Sequence, residues 1–373
     1  MSASADLLYT DIEDELRASV RALLADRCAP AAVFARCEGD EPYDRGLWRM
    51  LAAELGCAGL AVPESAGGAG ASFREAAVVA EELGAAVAPV PFLGSAGLAT
   101  AALLSCGETD LLAELAAGRR TAAFVVPLST PPGAPFPSSV RAGAKGAGVV
   151  SGTVANVADA LPADDLVVPG RDGDQPALFV VEASRADCVP VVSLDLTRRL
   201  ADITFDGAPV RRVAVGPDAE QAYLAALRTG AALLANEQLG VAQRCLTMTV
   251  DYVKGRYQFA RPVGSFQGLK HRLADLWVAI TQARAAARYA AVCVATGDPD
   301  ADVAVAVAQA YCSQVAVWAA EECVQMHGGI GFTWEHPAHL YLKRAKSSAI
   351  ALGTADRHRA TLATLVDLPG PLG

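Results

Sequence analysis

The chain has 373 residues, of which 53% are hydrophobic and 19% are charged, and it carries a formal net charge of −10. This length supports two or three domains that share buried surface, and this composition is that of a globular protein rather than a disordered one. The acidic balance leaves no basic stripe to neutralise phosphates, which argues against a nucleic-acid partner.

The N-terminal residues do not have the pattern of a signal peptide. They include Asp6, Asp11, Glu13 and Asp14 in place of a basic start and an apolar block. The longest apolar stretch, 301–320, is interrupted by polar residues, which favours a buried helix over a membrane span. The nine cysteines show no C-x-x-C pair and no zinc-like spacing with the five histidines. We therefore expect reduced thiols, no metal site and a cytoplasmic location.

Three zones with different residue patterns follow one another along the chain. Residues 1–118 carry apolar residues at helical spacing, broken by glycines at 67–70, after which Ser72 is predicted to cap a helix. Residues 119–216 contain short β-like runs separated by Gly, Pro and Asp, which predicts a small antiparallel barrel or sandwich. The predicted strands are 122–128, 148–155, 166–169, 177–182 and 201–205.

Residues 217–373 return to a helical pattern. Long segments with apolar periodicity predict an antiparallel four-helix bundle. The predicted helices are 221–258, 267–296, 301–326 and 336–364. The sequence therefore predicts an α+β protein with an N-terminal helical domain, a central β domain and a C-terminal bundle.

The segment 256–267 has the chemistry of an anion-binding turn. Arg256 presents a planar fork of donors that suits a phosphate. Pro262 and Gly264 interrupt the helical pattern before a new helix begins. The first backbone N–H groups of that helix can also face negative charge. The alternative, a solvated surface loop between two helices, has equal weight when only the residues are considered.

The segment 325–334 contains the adjacent glycines Gly328 and Gly329 and a third glycine two residues on. Such glycines let a ligand approach the backbone closely, and Gln325 has the donor and acceptor to bind a purine or ribose edge. The alternative is a helix C-cap with a left-handed glycine, and both interpretations are compatible. His327 by itself is typical of a packed histidine.

Together these two segments resemble the acyl-CoA dehydrogenase family. That family typically carries R-x-Q-F-G-R-P-I-G-x-F-Q between its first two C-terminal helices and Q-x-x-G-G-x-G-F after its third. The helical–β–helical order and the weaker Pro63-Glu64-x-x-Gly67-Gly68 motif extend the resemblance over essentially the whole chain. The resemblance implies the fold of that family, FAD as cofactor, and α,β-dehydrogenation of an acyl-CoA thioester by a homotetramer or an α2β2 assembly.

Several residues resemble those that hold the ADP half of FAD in this family. Arg256 and Phe259 resemble the clamp on the pyrophosphate and adenosine side. In the family these groups reach the FAD whose flavin ring lies in the neighbouring subunit. Gln267 resembles the hydrogen-bonding companion of this clamp. Gln325, Gly328 and Gly329 resemble the wall on the adenine side.

The position of the catalytic base departs from the family. The reaction needs a carboxylate within reach of the α-proton while the β-hydride goes to flavin N5. Family members usually place it in a Y-E-G-T-like turn, which here reads Ala351-Leu352-Gly353-Thr354, so Leu352 occupies the base position. Thr354 and Asp356 correspond to positions near the FAD.

Two carboxylates are weak candidates for a relocated base. A minority of the family carries its glutamate on the first C-terminal helix, at the place that corresponds to Gly230. Glu237 lies two turns further along the same helical face, roughly 10 Å away. Glu237 is either a relocated base or a structural carboxylate. Asp356 is an equally weak candidate for the base.

The flavin side of the β domain also departs from the family. The expected T-E-P-x-A-G-S-D segment corresponds to 127–133, and the W-I-T run corresponds to Asn156-Val157-Ala158. The groups offered to a neighbour's FAD are retained, while those for this chain's own flavin and base are lost. This asymmetry predicts a non-catalytic subunit of a heteromeric acyl-CoA dehydrogenase, similar to actinobacterial enzymes for steroid side-chain CoA thioesters.

Two other hypotheses remain open at this point. One is a self-sufficient dehydrogenase that uses Glu237, and the other is a flavin-free scaffold that binds acyl thioesters. The acyl group is not encoded in any motif. The small residues at 230–235 only permit a wide cavity.

Overall fold

The computed structural model describes residues 7–143 and 148–369. Asp6 lies outside the described residues. The described chain follows the predicted order of helices, sheet and helices, which confirms the α+β class. The domain boundaries at residues 118 and 216 stay predictions.

The N-terminal part is helical, and two of its helices begin with strong capping signals. The helices are α1 Asp11–Arg27, α2 Pro30–Glu38, α3 Arg45–Arg49 with a π-helical continuation Met50–Glu54, α4 Phe73–Ala86, α5 Thr100–Ser105 after a π-helical Leu93–Ala99, and α6 Asp110–Ala116. Thr10 and Ser72 cap α1 and α4, and each forms a capping box with the glutamate three residues on. The predicted capping role of Ser72 is confirmed.

The central part is an eight-stranded sheet. Its strands are β1 Ala122–Phe124, β2 Val140–Ala142, β3 Val149–Ala158, β4 Asp165–Asp172, β5 Gln175–Glu182, β6 Asp187–Val191, β7 Leu200–Pro209 and β8 Arg211–Val215. Their order is β6-β7-β3-β2-β4-β5-β8, with β1 paired to β4. The prediction of a purely antiparallel sheet is wrong, because β1 and β2 both run parallel to β4.

The five predicted strands are present, and β2, β6 and β8 are additional. β2 has only three residues, while β6 contains Pro190 and β8 begins with Arg211 and Arg212. β6 and β8 form the two ends of the strand order. Edge strands often carry charges or proline, which hides the alternating apolar pattern from which strands are predicted.

As far as residue 369, the C-terminal part contains three long helices and two short ones. They are α7 Pro217–Gly255, α8 Gln267–Thr296, α9 Ala301–His327, α10 Ala338–Ser348 and α11 Ala355–Leu365. The prediction of one helix over 336–364 is wrong, because Leu352 and Gly353 have φ values of 52° and 103° and end the helical path. The predicted extension of α7 to residue 258 is also wrong, since Arg256 has extended backbone and starts a hairpin.

Within the described residues, one helical stretch, Ala301–Phe332, is long and apolar enough to cross a membrane. Of its most apolar window, 67% is buried inside the protein. α9 packs against α7, α8, α10 and α11. This burial against protein agrees with the predicted core helix of a bundle.

A buried carboxylate joins the N-terminal helix to the rest of the chain. Glu13 on α1 is 0% exposed, and it pairs with Arg74 of α4 at 2.9 Å and with Arg288 of α8 at 2.7 Å. Burial alone raises the pKa of Glu13, but the two guanidiniums more than offset it and lower the pKa to about 2. One charge therefore holds three helices together.

We expect Glu13→Gln to lower the free energy of unfolding by about 2–3 kcal/mol at pH 7. The folded-state pKa lies below the unfolded one, so this stabilisation is present above about pH 4.5 and is lost as the pH falls towards 2. Urea unfolding of both proteins at pH 7 and pH 3.5 measures the difference. The exposed Glu15→Gln on the same helix is the control. A difference that stays constant with pH contradicts the assignment.

Candidate cofactor and catalytic site

The two sequence motifs lie at the same end of the helical bundle. The ring of Tyr252, in the last turn of α7, lies 4.3 Å from the ring of His327 at the end of α9. Arg272, near the start of α8, pairs with Glu322 of α9 at 2.7 Å. The segment 256–267 that follows α7 and the glycine pair that follows α9 are thereby brought to one surface.

The segment after α7 forms a short hairpin. Tyr257–Gln258 (β9) pairs with Arg261–Pro262 (β10), and the turn residues Phe259 and Ala260 have φ values of 52° and 59°. The left-handed region is unfavourable for both side chains, and the family motif has glycine at the position of Ala260. Phe259 is nevertheless 87% exposed. An exposed aromatic ring on a strained turn is suited to a contact outside the chain.

The other predicted ADP-side residues also face solvent. Arg256, Gln267 and Gln325 are exposed, and Arg256 forms no ion pair within the described part of the chain. A Cβ added to Gly328 or Gly329 would meet nothing within 4 Å. Because nothing inside the chain requires the absence of a side chain at Gly329, the space above it is open to an external group. These residues fit the ADP half of a cofactor.

Thr354 and Asp356 have local partners at the start of α11. Thr354 Oγ1 accepts a hydrogen bond from the backbone N–H of Arg357 at 3.3 Å and acts as the N-cap. Asp356 pairs with Arg359 at 2.8 Å, and its side chain is 93% exposed. Such exposure does not suit a base that works in a closed cavity. A role for the two residues near FAD stays a prediction.

The two places where the family carries its base meet in space, and leucines fill them. Leu352 is fully buried, and its Cδ1 lies 3.3 Å from the position of a Cβ built on Gly230. The same Cβ would overlap Cδ2 of Leu98, so a larger residue at 230 requires the Leu98 side chain to move. Leu98 was not a sequence candidate, because only the folded chain brings it to α7. The volume where a carboxylate would act is apolar and occupied.

The turn that carries Leu352 is joined directly to the β domain. Leu352 N donates to Leu128 O at 2.7 Å, and Leu128 N donates to Asn156 O at 3.0 Å. His358 Nε2 lies 2.9 Å from Leu352 O. These hydrogen bonds connect the three segments that correspond to the base turn and the two flavin-side elements. The base turn is thus in direct backbone contact with the segment 127–133.

The same hydrogen bonds remove a donor. The backbone N–H of Leu352 is already used by Leu128 O, so it does not polarise a thioester carbonyl at this turn. The apolar side chain at the usual base position and the committed backbone donor both belong to this one turn.

Glu237 is an internal counter-ion. It is 6% exposed and pairs with Arg198 and, at 3.1 Å, with Arg344. Arg344 also pairs with Asp195 at 2.9 Å and donates to Thr197 Oγ1. Burial alone raises the pKa of Glu237, but the two guanidiniums more than offset it and lower the pKa. A carboxylate held ionised in this way is a poor proton acceptor, so the hypothesis of a relocated base is not supported.

Comparison with known proteins settles the family. Residues 10–117 match the acyl-CoA dehydrogenase N-terminal domain, and residues 221–366 match the acyl-CoA dehydrogenase C-terminal domain. Over 90% of its length the chain is 40% identical to the acyl-CoA dehydrogenase IpdE2 of Mycobacterium tuberculosis, of which it covers 91%. The chain belongs to the acyl-CoA dehydrogenase family. Members of this family are FAD-dependent oxidoreductases that act on CH–CH groups, and the resemblance seen in the motifs is confirmed.

Solved structures confirm the acyl-CoA dehydrogenase fold. The chain is similar to the ChsE4-ChsE5 complex from Mycobacterium tuberculosis, with a TM-score of 0.87 and 28% identity, covering 98% of this chain and 100% of that one. It is also similar to a variant of the Tcur3481-Tcur3483 steroid ACAD, with a TM-score of 0.84 and 30% identity, covering 96% and 98%.

We expect Glu237→Gln to destabilise this dehydrogenase chain by about 3–5 kcal/mol, because it leaves two buried guanidiniums without their shared carboxylate. Thermal and urea unfolding measure the effect. Glu220→Gln, an exposed change on the same helix, should stay within about 0.5 kcal/mol of wild type. Equal stability of the two variants would contradict the role of Glu237 as a counter-ion.

Proposed function

We propose that this chain is the non-catalytic subunit of a heteromeric, FAD-dependent acyl-CoA dehydrogenase and supplies the ADP side of an interfacial FAD site. The observation that carries the proposal is a contrast within one molecule. The ADP-side residues are exposed, and Arg256 has no ion pair among the described residues, whereas the turn at Leu352 is closed by backbone hydrogen bonds. The α,β-dehydrogenation then takes place in the partner's catalytic half.

The ADP half has complementary groups on this chain. Arg256 offers a bidentate fork to the diphosphate, and the first turn of α8, at Gln267, adds backbone N–H groups and the positive end of a helix. Phe259 packs against the adenosine, and Gln325 binds the adenine or ribose edge beside the open glycine backbone. When bound, FAD supplies the hydride acceptor. This chain's residues hold the end of FAD remote from the reaction.

The partner is a second acyl-CoA dehydrogenase subunit that carries a glutamate where this chain has Leu352. Two similar solved proteins, ChsE4-ChsE5 and Tcur3481-Tcur3483, are named as pairs of chains, which supports a heteromer. We propose an α2β2 tetramer in the cytoplasm with one FAD for each pair of unlike chains. A homotetramer of this chain alone would contain four closed catalytic turns.

The substrate is proposed to be a bulky, steroid-derived acyl-CoA. The support is the similarity to the Tcur3481-Tcur3483 steroid ACAD. The chain's own residues do not select the acyl group, because leucines fill the position where the reacting carbons would lie. Selection of the acyl chain therefore belongs to the partner's cavity.

The first test is the flavin content of the chain with and without its partner. Purified alone, the chain should show no flavin absorption between 350 and 500 nm, roughly the range of bound oxidised flavin, because its ring site is closed. Purified with the partner, it should give a yellow complex that steroid-derived acyl-CoA bleaches. A yellow homo-oligomer that is reduced by acyl-CoA would overturn the proposal.

The second test concerns Arg256. In the complex, Arg256→Ala should weaken FAD binding about 10–100-fold, the effect of losing a charged hydrogen bond to a phosphate. FAD release measured by fluorescence after dilution gives the affinity. The matched control is Arg49→Ala, an exposed arginine of the N-terminal part. Equal FAD affinity in both variants would remove Arg256 from the site.

The third test asks whether the base alone is missing. Leu352→Glu restores a carboxylate at the usual position, but Leu128 O and Leu98 still close the site. We expect the variant, alone and with added FAD, to give no acyl-CoA-dependent flavin reduction, and to unfold more easily than Leu352→Gln because it buries an unpaired charge. Turnover by the Glu variant and not by the Gln variant would show that the rest of the catalytic site is intact.

A further inference from the structure

A recess of about 670 Å³ lies between the N-terminal helices and the bundle. Its walls are the end of α1, the start of α2, the end of α4, the middle of α7 and the start of α10. Among the described residues that line it, none belongs to the two motif segments or to the turn at Leu352. Sites that take small molecules measure roughly 300–1,000 Å³. The recess therefore has the size of a ligand site and shares no residue with the proposed cofactor site.

The floor of the recess is apolar. Its buried side chains come from four helices and their caps and are Leu24, Cys28, Val33, Val87 and Leu340. Burial raises the pKa of the Cys28 thiol to about 12, so this side chain is neutral and behaves as a small hydrophobe. Transfer of apolar surface from water onto such a floor is favourable in proportion to the area buried. The floor therefore selects a ligand with an apolar body.

The walls of the recess are held together by backbone contacts. α4 and α7 approach each other so closely that a Cβ added to Gly240 would lie 1.8 Å from Glu81 O. The hydroxyl of Tyr341 on α10 donates to Ala85 O of α4 at 2.8 Å. These two contacts join three of the five walls, so the shape of the recess is set by the fold.

The two carboxylates that line the recess are already paired. Glu82 accepts two hydrogen bonds from Arg21, at 2.7 and 3.0 Å, and one from Arg17 at 2.9 Å. Glu81 pairs with Arg17 at 2.9 Å and with Arg284 at 2.7 Å. Three guanidiniums thus surround two carboxylates. Neither carboxylate is therefore free to attract a cation into the recess.

A cation and an amide donor lie side by side on the α7 wall. Arg244 lines the recess, is exposed, and forms no ion pair with any described residue. Gln243 accepts a hydrogen bond from Arg284 through Oε1 at 3.1 Å. Since a guanidinium can only donate, this contact fixes the amide, and its Nε2 is a donor that meets no acceptor among the described residues. The polar part of a fitting ligand is therefore an anion.

We propose that this recess binds an amphipathic carboxylate of the fatty-acid type, with the carboxylate on Arg244 and Gln243 and the apolar chain on the floor. A guanidinium and a carboxylate form charge-assisted hydrogen bonds, which fix the head group at α7. A neutral alcohol of the same length keeps the apolar contact but loses this pairing, and a cationic amphiphile meets Arg244 with like charge. The site needs neither FAD nor the partner subunit, so it is separate from the proposed dehydrogenase role.

The test is titration calorimetry of the full-length chain with sodium decanoate, decan-1-ol and decyltrimethylammonium. We expect decanoate to bind once per chain and about tenfold or more tightly than the alcohol, the effect of a hydrogen bond between charged groups. The ammonium compound should not displace decanoate. Equal affinity for decanoate and the alcohol, or no saturable binding of decanoate, is incompatible with the proposal.

Variants assign the binding to this recess. Arg244→Ala should weaken decanoate binding about 10–100-fold and leave binding of the alcohol unchanged, a split that a loss of fold would not produce. Ala25→Trp, at an exposed position of α1 that lines the recess, places an indole in the space of the chain and should abolish binding of both compounds. Lys254→Ala, an exposed cation on α7 outside the recess, is the matched control.

The control should bind decanoate as the wild type does. Unchanged decanoate affinity in Arg244→Ala, or in a Trp variant whose circular dichroism is that of the wild type, would place the ligand elsewhere and refute the site. If the Trp variant does not fold, the comparison of Arg244→Ala with the control still decides the proposal.

Discussion

The hydrogen bond from Leu352 N to Leu128 O fixes the turn at which members of this family usually carry the catalytic base. It joins the turn of the missing base to the β domain at 2.7 Å, and a second bond continues the connection to Asn156. Leu98 and Leu352 then fill the volume that both alternative base positions share. Because these segments are in direct contact, a carboxylate introduced at residue 352 would meet packed apolar side chains.

The buried carboxylates of this chain have a structural role, whereas the family uses a carboxylate as the catalytic base. Glu237 neutralises Arg198 and Arg344, and Glu13 neutralises Arg74 and Arg288. Each carboxylate has more than one guanidinium, so its ionised form is strongly favoured and its ability to take up a proton is lost. These clusters connect the helical regions with each other and with the loop before β7. They fix the frame on which the exposed ADP-side residues are displayed.

The ADP-side residues could be proposed from the sequence because several of them are close together in it. Arg256, Phe259 and Gln267 lie within one segment, and Ser72 shows its capping role through the glutamate three residues on. The break at residues 349–354 was not predictable, since leucine is a good helix former and its left-handed backbone depends on the contact with Leu128. The partners of Glu237 were also hidden, because Arg198 and Arg344 come from distant segments. Long-range contacts carry no periodic pattern.

The exposed hairpin has a consequence for the life of the subunit before assembly. Phe259 is 87% exposed at its tip, and Phe332 and Trp334 in the second motif segment are 75% and 51% exposed. Aromatic surface of this kind promotes self-association when nothing covers it. A copy of the chain with this surface uncovered is therefore prone to self-association.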